Sequence, residues 1–97
     1  MEVTLKTKTK LIEEAIKEKF GYTFAELSTP IRKRIYSEPR LIAMYLLRKH
    51  TELSHREIAK LFNRKHADCV YACNLVRELV LVDYKYKKII EKLEEML

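Results

Sequence analysis

LSHREIAKLFNRKHADCVYAC, residues 53–73, holds two helix signatures around a three-residue gap and gathers arginine, lysine and histidine beside it. Ser54-His55-Arg56-Glu57 has the form of a capping box, in which the Ser54 hydroxyl accepts from the Glu57 amide and the Glu57 carboxylate reaches back. Leu53 before it and Ile58 inside it supply a hydrophobic staple, so a helix is expected from about His55. Ile58, Leu61 and Phe62 share one face of that helix, and Asn63, which tolerates left-handed backbone, ends it. A second apolar series, Cys69, Ala72, Cys73, Val76, Leu79 and Val80, keeps the same helical spacing. Ala59 falls where the two helices would cross, and its small side chain permits close approach. Two helices joined by such a short turn form a helix-turn-helix, expected here over residues 54–80.

Outward from that pair, Ser37-Glu38-Pro39 opens a preceding helix with proline in its first turn, where the missing donor costs nothing. Ile42, Ala43, Leu46 and Leu47 form its core stripe, and it should end near His50. Further upstream a helix is expected from about Lys10 to Phe20, ended by Gly21, the only glycine in the chain. Thr23-Phe24-Ala25-Glu26 is a second capping box, opening a short helix through about Ser28. Residues 29–38 have no clean period and carry Pro30, Arg32, Lys33 and Arg34, which reads as a basic loop. Downstream, Asp83 can cap a last amphipathic helix over 84–97, with Ile89, Ile90, Leu93 and Leu97 on one stripe. No strand pattern occurs. The expected fold is all-α, a compact five- to six-helix single domain over residues 1–97.

Charge is unevenly placed along the 97 residues, whose formal net charge is +6. Residues 1–29 carry five basic and five acidic side chains, residues 67–97 five and six, and residues 30–66 ten and three, a local balance of +7. A concentrated basic segment that coincides with a helix-turn-helix is the footprint of a polyanion partner. No apolar run approaches the roughly eighteen residues of a membrane span, and no secretory segment follows Met1, which points to the cytoplasm. Cys69 and Cys73 lie one turn apart, where a disulfide would close almost nothing, so buried reduced thiols are expected.

Catalytic chemistry finds little support. A single glycine excludes a Gly-rich phosphate cradle, and no carboxylate pair suggests acid-base work. His66, Cys69 and Cys73 read as H-x-x-C-x-x-x-C, but a structural zinc site needs a fourth ligand and the thiols continue a core stripe. The chain is read as no enzyme, with neither metal nor cofactor. Among the histidines, His50 is expected to meet the helix dipole, His55 to be solvated, and His66 to touch a partner. Tyr22, Tyr45, Tyr84 and Tyr86 read as half-buried packing residues; Tyr36, in the basic loop, could contact sugar or phosphate, and Tyr71 lies outside the core stripe.

The stretch EPRLIAMYLLRKHTELSHREIAKLFNRKHADCVYAC, residues 38–73, resembles the C-terminal DNA-binding domain of the bacterial replication initiator DnaA, whose helix-turn-helix is akin to that of the Trp repressor. The likeness extends over about Leu11 to Leu97 and includes the Pro-Arg helix start, the Ser-x-x-Glu-Ile box and the Arg-x-His entrance to the second helix. It implies that this helix enters the major groove of double-stranded DNA while the basic loop crosses the backbone. Arg32 falls on the position that inserts into the minor groove, with Arg34 close by. Arg48, Thr51, Ser54 and Arg56 match the phosphate-holding region, and His66 matches a histidine that reads a base edge. Phosphate contacts are then expected from Arg32, Lys33, Arg40, Arg48, Arg56 and Arg64, and base reading from Arg64, Lys65, His66, Ala67, Asp68 and Tyr71.

The family signature runs Gly-Gly-Arg-Asp-His-Thr-Thr, whereas here Asn63-Arg64-Lys65-His66-Ala67-Asp68 is one residue shorter in the turn. Lys65 exchanges a base-accepting carboxylate for a cation, Ala67 can still meet a thymine methyl, and Asp68 either puts a negative charge near phosphates or shifts readout toward a cytosine amino group. The expected function is sequence-specific duplex binding in replication initiation or its regulation, in a bacterial, nucleoid-associated protein. The alternatives are a small transcriptional repressor on the same fold, or a protein-interaction module that docks or self-associates through its first and last helices.

Overall fold

The computed structural model describes the backbone from Leu5 and side chains from Lys8, in both cases through Leu97. Six helices follow in order: α1 Leu5–Phe20, α2 Phe24–Leu27, α3 Arg34–His50, α4 His55–Leu61, α5 His66–Val82 and α6 Tyr84–Glu95. No strand occurs among the described residues. The long helix α3 is the axle, packing against α1, α2, α4 and α5, while α6 closes over α1 and α5.

Burial follows the stripes written in the sequence, except that Leu61, expected on one face with Ile58 and Phe62, is 40% exposed. Ile12 and Ile16 of α1, Ile42, Leu46 and Leu47 of α3, Ile58 of α4, Val76 of α5, and Ile90 and Leu93 of α6 meet in one core. Phe24 and Phe62 join it edge to face, with ring centroids 4.9 Å apart. Truncating any one of these buried side chains to alanine costs about 2–5 kcal/mol, because the vacated space does not fully collapse. Ile12, Ala15 and Ile16 of α1 and Ile90 and Leu93 of α6 are covered within the chain itself.

Local signals end the helices where expected. Gly21 adopts φ +84°, a left-handed value that suits glycine, and its N–H donates to Lys17 O at 2.7 Å. Both capping boxes close: Thr23 and Glu26 open α2, and Ser54 and Glu57 open α4. Asp83 ends α5 through its N–H to Leu79 O at 2.8 Å and caps α6 by accepting from the Lys85 N–H at 2.9 Å.

Two boundaries differ from expectation. Helix α1 starts at Leu5 rather than Lys10, since the intervening Lys/Thr run lacks a breaker and propagation adds one hydrogen bond per residue once the apolar turns have formed. Helix α3 starts at Arg34, so Pro39 lies inside the helix, in its second turn instead of opening it. The Tyr36 and Ser37 N–H groups both donate to Lys33 O, and Arg34 pairs with Glu38 one turn on at 2.8 Å; these contacts hold a helical turn ahead of the proline. The basic loop therefore shortens at its C-terminal end. Arg34 and Tyr36 sit on a helix, and Tyr36 is half-buried with its ring 5.2 Å from Tyr22 rather than projecting toward a partner.

Candidate nucleic-acid interface

The turn between α4 and α5 is built by local chemistry. Asn63 takes φ +54°, and the Arg64 N–H turns back to Ala59 O at 2.8 Å, ending α4 abruptly. Ala59, only 1% exposed, sits where a larger side chain would separate the packed helices α4 and α5. Lys65 is the extended residue before α5, and Asp68 accepts from its backbone N–H at 3.2 Å. The carboxylate expected to read a base therefore also caps the helix that carries it, a favourable place for negative charge.

Two arginines fasten the basic loop to this turn. Arg40 is 6% exposed, and its Nη1 donates to Leu27 O at 2.9 Å and Thr29 O at 3.2 Å. Arg64 donates from Nη2 to the same Thr29 O at 2.6 Å and from Nη1 to Phe62 O at 3.3 Å. The Ser28 hydroxyl adds a bond to Leu61 O at 3.0 Å. Arg40, expected at a phosphate, is instead an internal strut, because the carbonyls at the end of α2 and the start of the loop need buried donors. Burial, reinforced by the neighbouring Arg64 charge, lowers its pKa. Arg64 is half-buried and serves chiefly as the second strut.

With the loop so fixed, Arg32, Lys65, Asp68 and Tyr71 line one cleft of about 700 Å³ between the loop and the entrance of α5. Tyr71 is 63% exposed, consistent with a position outside the core stripe. Lys33, beside Arg32 in sequence, and His66 and Ala67, between Lys65 and Asp68, are also exposed. On the α4 side, Arg48 and Arg56 are exposed, Thr51 donates to Leu47 O, and the Ser54 hydroxyl is engaged as the α4 cap. Arg34 stands apart from this group, its guanidinium held by Glu38. Among the described residues the ion pairs are Arg34–Glu38, Lys49–Glu94, His50–Glu94 and Lys88–Glu91. Arg32, Lys33, Arg48, Arg56 and Lys65 thus present charge that no carboxylate among the described residues pairs with.

Other expectations are corrected here. His55 is half-buried rather than solvated, its ring edge-to-face with His66 at 6.0 Å and 82°. Burial and the charges of Arg48, His66 and Arg77 hold its pKa below the ordinary imidazole value. His50 bonds through Nε2 to Glu94 Oε2 at 2.6 Å, a tertiary partner rather than the helix dipole alone. Tyr84 is exposed, with Lys88 Nζ 5.3 Å from its ring centroid. Cys69 and Cys73 are free buried thiols, and their mutual hydrogen bond together with burial drives Cys69 upward, keeping it protonated and inert. Arg77, which the sequence reading passed over, is exposed beside Arg48 and His55. Its signal was available: eleven residues after His66 is just over three helical turns, the same side of α5.

A helix-turn-helix braced against a basic loop, with unpaired cations on both, defines a class of DNA-binding folds. The comparisons narrow it. Residues 9–76 match the bacterial dnaA protein helix-turn-helix, and the chain belongs to that family, the C-terminal DNA-binding module of the replication initiator. It is 37% identical over 84 residues, 86% of its length, to the chromosomal replication initiator protein DnaA of Lachnoclostridium phytofermentans, and 32% identical over the same share to that of Treponema denticola. A match to DnaA of Bacteroides fragilis covers 98% of the chain at 31% identity. The chain spans about a fifth of the length of these curated relatives, from 18% to 21%. The module is a binding unit, not a catalytic one. Among the described residues no helix is long and apolar enough to cross a membrane.

Proposed function

We propose that this chain binds double-stranded DNA sequence-specifically, α5 entering the major groove by its N-terminal end while the basic loop lays Arg32 in the adjoining minor groove, in replication initiation or its regulation. The observation that carries the reading is the double strut of Arg40 and Arg64 on Leu27, Thr29 and Phe62, which keeps loop and helix entrance on one cleft. Two groove readers must hold a set spacing to read one site, and buried guanidinium bonds supply it. Lys65, His66, Ala67, Asp68 and Tyr71 read bases; Arg32, Lys33, Arg48 and Arg56, with Thr51 and Ser54, position the backbone.

Random-site selection with the purified chain, followed by binding titrations across salt, tests this. A preferred sequence should emerge, and log affinity should fall against log salt with a slope on the order of −4, as about four phosphates are neutralised. Binding that is equally strong on all duplexes would remove base reading. The shortened turn and the Lys65 and Asp68 exchanges support a site different from that of relatives carrying the Gly-Gly-Arg-Asp-His signature. A repressor role shares this chemistry and differs only in where the site lies.

A further inference from the structure

A second cationic recess lies on the other side of α5, away from the basic loop, with Arg48, His55 and Arg77 among its walls. Its volume is about 470 Å³. Lys49 also borders it but directs its Nζ to Glu94 at 2.7 Å, whereas neither Arg48 nor Arg77 has an ion-pair partner among the described residues. Two unpaired guanidinium groups at one concavity repel each other, an arrangement that favours an anion between them. Arg77 is not loose: its Nη1 donates to Asn74 Oδ1 at 3.2 Å one turn earlier, leaving the remaining donors free. The same positive potential is felt by His55, whose pKa both arginines depress after burial has done so.

We infer that Arg77, acting with Arg48, grips a backbone phosphate of the bound duplex on the strand opposite the basic loop, so that α5 is clamped from both walls of its groove. The inference rests on the major-groove reading of α5. Helix geometry sets the level: eleven residues beyond His66 is about 16 Å along the axis, more than the roughly 8.5 Å depth of the major groove. A side chain at that height, on the His66 side of the helix, has left the base edges, and the part of the duplex nearest to its long guanidinium arm is the sugar-phosphate chain at the groove's rim. The ligand is therefore a phosphodiester, and the contact carries no sequence preference.

The test compares the wild-type chain with Arg77→Ala and Arg77→Lys on the selected duplex and on a scrambled one, each across a salt series, with thermal melts to confirm folding. Arg77→Ala should weaken both duplexes by the same factor, about tenfold at low salt, and make the salt slope shallower by about one. Arg77→Lys should keep the slope. A duplex with one neutral methylphosphonate at the facing phosphate should bind wild type more weakly and Arg77→Ala no differently. An unchanged slope, a loss confined to the selected duplex, or no methylphosphonate position that distinguishes the two proteins would overturn the clamp while leaving duplex binding intact. Failure of the wild-type chain to bind either duplex would instead overturn the parent reading, and the clamp with it.

Discussion

At the C-terminal end of α3, Lys49 and His50 converge on one carboxylate, Glu94 of α6, at 2.7 and 2.6 Å. About 25 Å away along the helix, where the basic loop leads into α3, Arg32 and Lys33 have no carboxylate partner among the described residues. Between these extremes Arg40 and Arg64 bond to main-chain carbonyls. The same residue types thus do three different things, and what separates them is whether an acceptor of the chain lies within reach. Cations that serve the fold are matched by carboxylates or buried carbonyls; cations left for a partner are not. The contrast also explains why the positive segment does not destabilise the chain more: part of its charge is internal cross-bracing.

The largest effect should come from the strut. Replacing Arg40 by Met leaves the Leu27 carbonyl without its buried donor and Thr29 O with Arg64 alone, and urea denaturation should register a loss of about 3 kcal/mol. Duplex affinity should fall as well, because the loop loses its set distance from α5. A loss below about 0.5 kcal/mol would mean that Arg64 and Ser28 hold the loop unaided.

Next in size is Arg32→Ala, which should leave stability within about 0.5 kcal/mol, as for an exposed side chain, and weaken binding about tenfold where the flank is A·T-rich and the minor groove narrow. Equal weakening on G·C-rich flanks would reduce Arg32 to a phosphate contact. The two variants together break the comparison cleanly if it is wrong, since one should act mainly on folding and the other only on binding.

Glu94→Gln should be smaller, about 1 kcal/mol, with duplex affinity unchanged. Burial by itself would raise the Glu94 carboxyl, but hydrogen bonds from Lys49 and His50 and their charges outweigh it, so the folded value lies below the ordinary one. That stabilisation is fully present above the unfolded-state value near 4.5 and is lost as pH falls through the lower folded value. A pH series of melts should therefore be flatter for Glu94→Gln between about pH 5 and 3; parallel curves would show that the clip contributes nothing.

The smallest effect concerns His55. Its depressed pKa means that the neutral ring is favoured on folding, with stability fully present above the unfolded-state value near 6.5 and lost as pH falls from there through the lower folded value. Bound phosphate beside Arg48 and Arg77 should raise the His55 pKa, which titration of its ring resonances with and without duplex would detect. No movement on binding would place the duplex away from this recess.

Much of the architecture was legible in advance because it is written in short-range chemistry. Ser54 with Glu57, Thr23 with Glu26, Gly21, Asn63 and Asp83 each act on backbone within a few residues, so their effects could be read without knowing the fold. The errors arose where a distant partner decides. Pro39 is the exception: it looked like a helix start by a strong local rule, and contacts equally local, the Arg34–Glu38 pair and the Lys33 carbonyl, hold a turn ahead of it. Tyr36 and His55 were assigned by neighbours in sequence, whereas Tyr22 and His66 are their neighbours in space. Arg77 was passed over because its significance lies in standing beside Arg48 on another helix.

By itself, then, the amino-acid order determined six helical segments, their caps, the apolar stripes that pack them, and a positive segment running into a helix-turn-helix. Only the tertiary structure decided which of those positive charges are available. Helical period and capping depend on spacing along the chain, but the fate of a guanidinium depends on whether packing brings a carbonyl or carboxylate within about 3 Å, and no local pattern records that distance.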